Sequence, residues 1–258
     1  MNRIAVKVAY LGEGFSGSQK QPGLRTVEGE IESNLKTICG TFSEENNLKM
    51  ASRTDGGVNA LGNVACFETS FGDPEKLLRA LNAVSDGVFY RSYSYVPDDF
   101  NVRYAYSRSY RYVAPLKGID IGRAKECASL FEGEHDFAGF CKYDGKSTVA
   151  SIDSVSVRTD GDLIFLDFEA KFFLWNQVRR MTAAIFSVGR GDSEIESVRE
   201  CLNGGPFSFG VSPAEGLTLT DVRYRNVTFT EPKRRPYGNA AEKKLLNCRL
   251  KGLFYESL

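Results

Sequence analysis

Histidine is nearly missing: the 258-residue chain has one, His135. That excludes a metal site built on several histidines and any mechanism passing a proton between two of them. A lone histidine is more often structural than catalytic. The six cysteines, Cys39, Cys66, Cys127, Cys141, Cys201 and Cys248, form no CxxC pair. Their scatter argues against a zinc ribbon and provides no disulfide framework. They read as small hydrophobes in a reducing compartment. No apolar run is long enough to cross a bilayer. The N-terminus enters an alternating strand pattern with no signal-peptide character. Net charge is lacking too, since 33 basic and 33 acidic residues sum to zero. Attraction to nucleic acid would have to come from local clusters: Arg103, Arg108 and Arg111; Arg179 and Arg180; Lys233, Arg234 and Arg235. With 42% hydrophobic residues and a mean hydropathy of -0.29, a packed, soluble and cytoplasmic protein is expected.

Several reaction types fall with their motifs. There is no GxxxxGK[ST] and no GxSxG. Gly12, Gly14 and Gly17 spell GxGxxG after a strand, but Pro22 and Gly23 stand where a helix would have to open. Asp98 and Asp99 are adjacent and so point apart, unlike the spaced pair a glycosidase needs.

Periodicity supplies the elements. Ile4, Val6, Val8 and Tyr10 alternate as a strand. Thr26 caps a helix with Val27, Ile31, Leu35 and Ile38 on one face, closed by Gly40. Val64–Thr69 and Val88–Val96 read as strands around a helix begun by Asp73-Pro74. RYAYSRSYRYV, Arg103–Val113, alternates with Tyr104, Tyr106, Arg108, Tyr110 and Tyr112 on one side. That face reads as cross-strand aromatic packing or as a platform for bases. Ala124, Ala128 and Phe131 predict a helix leading to His135. Ile152–Arg158 and Leu163–Ala170 flank the hairpin signal Asp160-Gly161. The strongest helix, Leu174–Val188, has a stripe of Leu174, Val178, Met181, Ile185 and Val188, with Arg179 one residue off it and Gly189 and Gly191 at its end. A shorter helix carries Ile195, Val198 and Leu202, Leu217–Tyr224 closes with a strand, and Ala240–Leu246 forms a short last helix. The mixture predicts α+β with an antiparallel sheet, in two halves at 1–104 and 105–258.

The candidate chemistry lies in Ser52–Gly62, SRTDGGVNALG. Gly56 and Gly57 let the backbone turn tightly or approach a ligand, and a guanidinium such as that of Arg53 would keep Asp55 ionised in a desolvated cleft. An ionised aspartate can be a nucleophile or stabilise a cationic sugar. On residue types alone a turn, with Asp55 bonding its own backbone, is the commoner reading.

The order of the segments adds a resemblance. SRTDGGVNALG is similar to the catalytic loop of the TruA family of tRNA pseudouridine synthases. So, in sequence, are the opening strand with its RTV-led helix, ALNAVSDGVFYRSYSYVPDDFNVRYAYSRSYRYV, GEHDFAGF, FLWNQVRRMTAAIFSVGRG and SPAEGLTLTDVRY. The resemblance implies two similar α+β halves sharing a continued, largely antiparallel sheet around a basic central cleft. It implies a tRNA partner, a homodimer, and no metal or organic cofactor. Its reaction turns uridine into pseudouridine, usually in the anticodon stem-loop. It assigns the catalytic aspartate to Asp55, the loop arginine that moves the target base to Arg53, the tyrosine that stacks on the uracil to Tyr110, and the arginine that pairs with the acid to Arg179. Ser52, Asn59 and Ser18 depart from the usual glycine, histidine and tryptophan, and Trp175-Asn176 and Ala183-Ala184 from the usual helix residues. On the residues alone two rivals stay open. One is a non-catalytic RNA-binding protein, for which RSYRYV lacks the glycines of the RRM motif. The other is a nucleoside glycosidase, which lacks a second carboxylate.

Overall fold

The computed structural model describes residues 2–40 and 47–257. In chain order the elements are β1 (Asn2–Tyr10), α1 (Val27–Cys39), β2 (Lys49–Met50), β3 (Asn59–Thr69), α2 (Pro74–Val84), β4 (Val88–Tyr95), β5 (Ser107–Pro115), α3 (Ile121–Ser129), β6 (Gly133–Asp136), β7 (Val149–Ile152), β8 (Ser154–Asp160), β9 (Leu163–Ala170), α4 (Gln177–Arg190), α5 (Ile195–Leu202), β10 (Leu217–Arg223) and α6 (Gly238–Glu256). The architecture is α+β. An eight-stranded sheet runs β4-β1-β3-β10-β5-β9-β8, with β2 on the side of β3, and β6 and β7 form a separate pair.

All neighbours in the large sheet are antiparallel except β3 and β10. There the two sides meet through a short parallel register, Asn59 opposite Thr218 and Ala60 opposite Leu219. Leu219 in turn faces Tyr110 on β5. The strand added last in sequence therefore sits mid-sheet and aligns the end of the Ser52–Val58 loop with the tyrosine strand. The chain does not stay on its own side afterwards. Thr230 pairs with Tyr93, and Tyr237 before α6 packs edge-on against Phe89 of β4.

Local signals place most elements. Thr26 Oγ1 accepts the Gly29 N–H at 3.3 Å and starts α1, while Asp73, followed by Pro74, accepts from Lys76 N at 3.1 Å and starts α2. β9 alternates strictly, burying Ile164, Leu166, Phe168 and Ala170. Val178, Met181, Ile185 and Val188 bury the face of α4 as their spacing predicts.

Boundaries differ where side chains intervene. The tyrosine strand starts at Ser107, because Tyr104 N and Arg103 N both donate to Asn101 and close a turn. This leaves Tyr104 and Tyr106 exposed, while Arg108, Tyr110 and Tyr112 are buried. The stretch expected as one strand, Ile152–Arg158, breaks at Asp153, since β7 belongs to the small sheet and β8 to the large one. Leu174 lies outside α4, which begins after Asn176 adopts a left-handed φ of 62°. Gly189 is inside that helix, buried where a Cβ would come within 2.8 Å of Ile119 Cγ2. The last helix runs well past Leu246, to Glu256. Four cysteines are buried, whereas Cys248 is exposed on α6.

Candidate active site

The loop before β3 is a turn held rigid from outside. Val58 N donates to Asp55 O at 3.2 Å, and Gly57 has φ +83°, as a turn with a left-handed third residue requires. Gly12 lies directly against it: a Cβ there would come within 2.3 Å of the Gly57 carbonyl carbon. Asn59 locks the same contact, accepting from Gly12 N and donating to Glu215 O, both at 2.8 Å.

Upstream, the loop hangs on a buried polar network. Tyr10 Oη and Thr54 Oγ1 are 2.8 Å apart, and Asn63 Nδ2 donates to Tyr10 Oη and to Ser52 O, each at 3.0 Å. Ser18 Oγ accepts from Thr54 N at 2.8 Å while Ser18 N donates to Thr54 O at 3.0 Å. Arg108, buried on β5, donates Nε to Ser52 Oγ at 2.9 Å and Nη2 to Ala51 O at 3.0 Å and Arg103 O at 2.9 Å. Burial pushes its guanidinium below the usual range. The three departures Ser18, Ser52 and Asn59 are thus all fasteners of this loop. Arg108 and Asn63 are working parts that sequence reasoning left in a charge cluster or unmentioned. The signal for Arg108 was its place on the Tyr110 side of the strand.

The Asp55 carboxylate is not spent on its own backbone among the described contacts. Arg179 Nη1 donates to Oδ2 at 3.3 Å, and Trp175 Nε1 donates to Oδ1 at 3.2 Å. Arg179 comes from the first turn of α4 and is itself fixed, with Nε donating to Ser212 O at 2.8 Å and its carbonyl accepting from Ser212 N at 3.1 Å. The guanidinium beside the acid is therefore that of Arg179, 124 residues away, and not that of Arg53. Arg53 is exposed on the loop. Tyr110 lies below, 8% exposed, its ring edge-on to Phe173 with centroids 5.2 Å apart. Its hydroxyl is pushed well above the ordinary phenol range. Burial is the main cause; neighbouring Tyr10 adds to it, Arg108 opposes, and Asp55 adds less. His135 is outside this constellation, its Nε2 2.9 Å from Glu132 O.

A half-exposed carboxylate, held by two donors above a buried tyrosine at a sheet junction, is equipped for charge stabilisation and proton transfer on a bound ring. Comparison with known proteins gives the class: residues 127–225 match the family described as tRNA pseudouridine synthase. The chain is also 43% identical over 233 residues to tRNA pseudouridine synthase A of Pyrococcus abyssi, covering 88% of this chain and 86% of that one. It is 36% identical over 269 residues to tRNA pseudouridine synthase A of Methanosarcina barkeri, covering 99% and 98%. The chain belongs to the tRNA pseudouridine synthase A family, a family of isomerases.

Proposed function

We propose that this protein isomerises uridine to pseudouridine in the anticodon stem-loop of tRNA, with Asp55 as the catalytic carboxylate. The observation that carries the reading is the pair of side-chain donors, Arg179 and Trp175, that hold the two oxygens of the Asp55 carboxylate. The reaction breaks the bond from the sugar carbon to N1 of the base, forms one from the same carbon to C5, and removes the C5 proton while N1 gains one. Composition does not change, so acid–base and electrostatic chemistry suffice. The Asp55 carboxylate opposes the positive charge that develops on the sugar as the base leaves, and takes part in removing the proton once the base has turned. The target must first leave its stack, at a cost of a few kcal/mol. Tyr110 offsets part of that by stacking on the uracil. Arg53, exposed at the rim of the loop, reaches the RNA and moves the base, and Arg179 keeps the acid oriented. The two halves, 1–104 and 105–258, meet where β3, β10 and β5 run side by side, and the enzyme acts as a cytoplasmic homodimer.

The test is Asp55→Asn, which keeps the shape and removes the charge. Isomerisation is expected to be abolished while tRNA still binds. Pseudouridine formed by this variant would remove Asp55 from the role, and a wild type that bound tRNA without ever isomerising a uridine would leave a binding protein. Mapping pseudouridine in tRNA from cells with and without the protein locates the target.

A further inference from the structure

Arg179 accounts for one oxygen of Asp55; the other belongs to a residue that no motif singled out for a role. Trp175 sits in the segment before α4. Its carbonyl accepts from Lys142 N at 2.8 Å. Around it, Leu174 N donates to Gln177 Oε1 at 2.7 Å and Gln177 N donates to Leu174 O at 3.1 Å. Gln177 is fully buried, which anchors that bracket. The indole ring lies under Lys142 Nζ, 3.9 Å from its centroid. The residue is 45% exposed, so much of it faces solvent and little of it is held by core packing. An indole N–H can only donate, and this one donates to Asp55 Oδ1 at 3.2 Å. A cation over the face of the ring draws electron density toward itself and makes the N–H a stronger donor.

We propose that Trp175 is a positioning residue for the isomerisation: with Arg179 on the opposite oxygen it fixes the plane of the Asp55 carboxylate, and Lys142 strengthens its hold. This rests on the assignment of Asp55 proposed above. Two donors on two oxygens stop the carboxylate rotating, while each oxygen keeps a lone pair for the substrate. A carboxylate fixed in this way need not reorganise as charge develops.

Trp175→Phe tests it, because it keeps an aromatic ring under Lys142 and removes the N–H. Charge-assisted hydrogen bonds at a partly exposed site correspond to about a tenfold effect on rate. The single-turnover rate of tRNA isomerisation is expected to fall by about that factor, with KM for tRNA changed by less than about twofold and thermal unfolding unchanged. Lys142→Ala is expected to lower the rate in the same direction by a smaller factor. Trp175 is the sole tryptophan of the chain, so the tryptophan emission of the free enzyme comes from this ring alone, and Asp55→Ala is expected to shift it. An unchanged rate in Trp175→Phe would overturn the proposal. So would a raised KM at unchanged rate, which would make Trp175 an RNA contact, and so would an emission indifferent to Asp55→Ala. Asp55→Asn separates the two levels. Should it still isomerise uridine, the reading of Asp55 fails. Should it be inactive while Trp175→Phe works at full rate, the role of Trp175 alone fails.

Discussion

At the scale of single residues, the least expected piece is a buried arginine that faces carbonyls and a hydroxyl. Arg108 donates to Ser52 Oγ, Ala51 O, Arg103 O and Lys171 O. Two effects compete. Desolvating a guanidinium is costly, as the downward push on its proton affinity reflects. Removing it strands several acceptors, each worth roughly 1 kcal/mol or more when left unpaired. The second effect is expected to win because three of the four acceptors are backbone carbonyls that cannot leave. Arg108→Met should therefore cost about 3 kcal/mol in denaturant unfolding, and it should slow isomerisation because Ala51 and Ser52 lead straight into Asp55. A variant as stable as the parent would mean that desolvation had balanced the bonds. The resemblance paired Arg179 with Asp55, and in the structure the two are 3.3 Å apart; what the residues alone could not show is either contact, and nothing pointed to Trp175 as the second donor. Trp175 meets Asp55 across 120 residues and Arg179 across 124, and no local period reports a contact of that span. Arg53 illustrates the converse: proximity in sequence suggested a guanidinium for Asp55, and the chain supplies it from α4 instead.

At the scale of elements, what was legible was whatever depends on neighbours along the chain. The caps of α1 and α2, the stripe of α4 and the alternation of β9 all follow local rules. What was not legible were ends set by partners. β3 extends back to Asn59 because β10 comes to pair with it, and Ile152–Arg158 splits because its two parts find different sheets. The glycines near the site show the same division. Gly57 was readable as a turn residue, whereas the need for glycine at position 12 appears only when two loops meet. A Cβ on Gly12 would lie 2.3 Å from Gly57 C, 2.5 Å from Gly57 O and 2.5 Å from Val58 O. All three are backbone atoms, so no rotamer change relieves the clash. Gly12→Ala must push the Asp55 turn away from the short helical turn at Gly12–Gly14. The expected outcome is loss of most isomerase activity, since misplacement by about 1 Å costs on the order of a hundredfold. Thermal unfolding should show a lowered midpoint but still one cooperative transition. Full activity in this variant would show that the turn tolerates the shift and that its position is not set by Gly12.

At the scale of the whole molecule, two sets of strands are joined into one sheet by the short parallel contact of β10 with β3. Tyrosines shielded from water lie on both sides of that seam: the buried Tyr10 and Tyr90 on β1 and β4, the buried Tyr110 and Tyr112 on β5, and the half-buried Tyr224 just past β10. Burial is the leading cause that raises every one of these hydroxyls above the ordinary phenol range. The sign of the linkage follows. Below about pH 10 the phenols are neutral in folded and unfolded chains alike, and they contribute no slope. Above it the unfolded chain releases protons that the folded chain retains, so the unfolded state binds fewer protons and stability falls as pH rises. The stabilisation is complete below the unfolded value and is lost on the way up toward the folded ones. Since Tyr10 bonds Thr54 and Asn63 beneath the Asp55 loop and Tyr110 lies under the acid itself, ionising them dismantles the site together with the seam. Alkaline titration should therefore show tyrosinate absorbance from the buried rings and loss of far-UV ellipticity rising together above about pH 10, with activity gone over the same range. Full tyrosinate absorbance while the ellipticity stayed native would mean that these rings ionise inside the folded protein, and that the sheet junction does not depend on keeping them neutral.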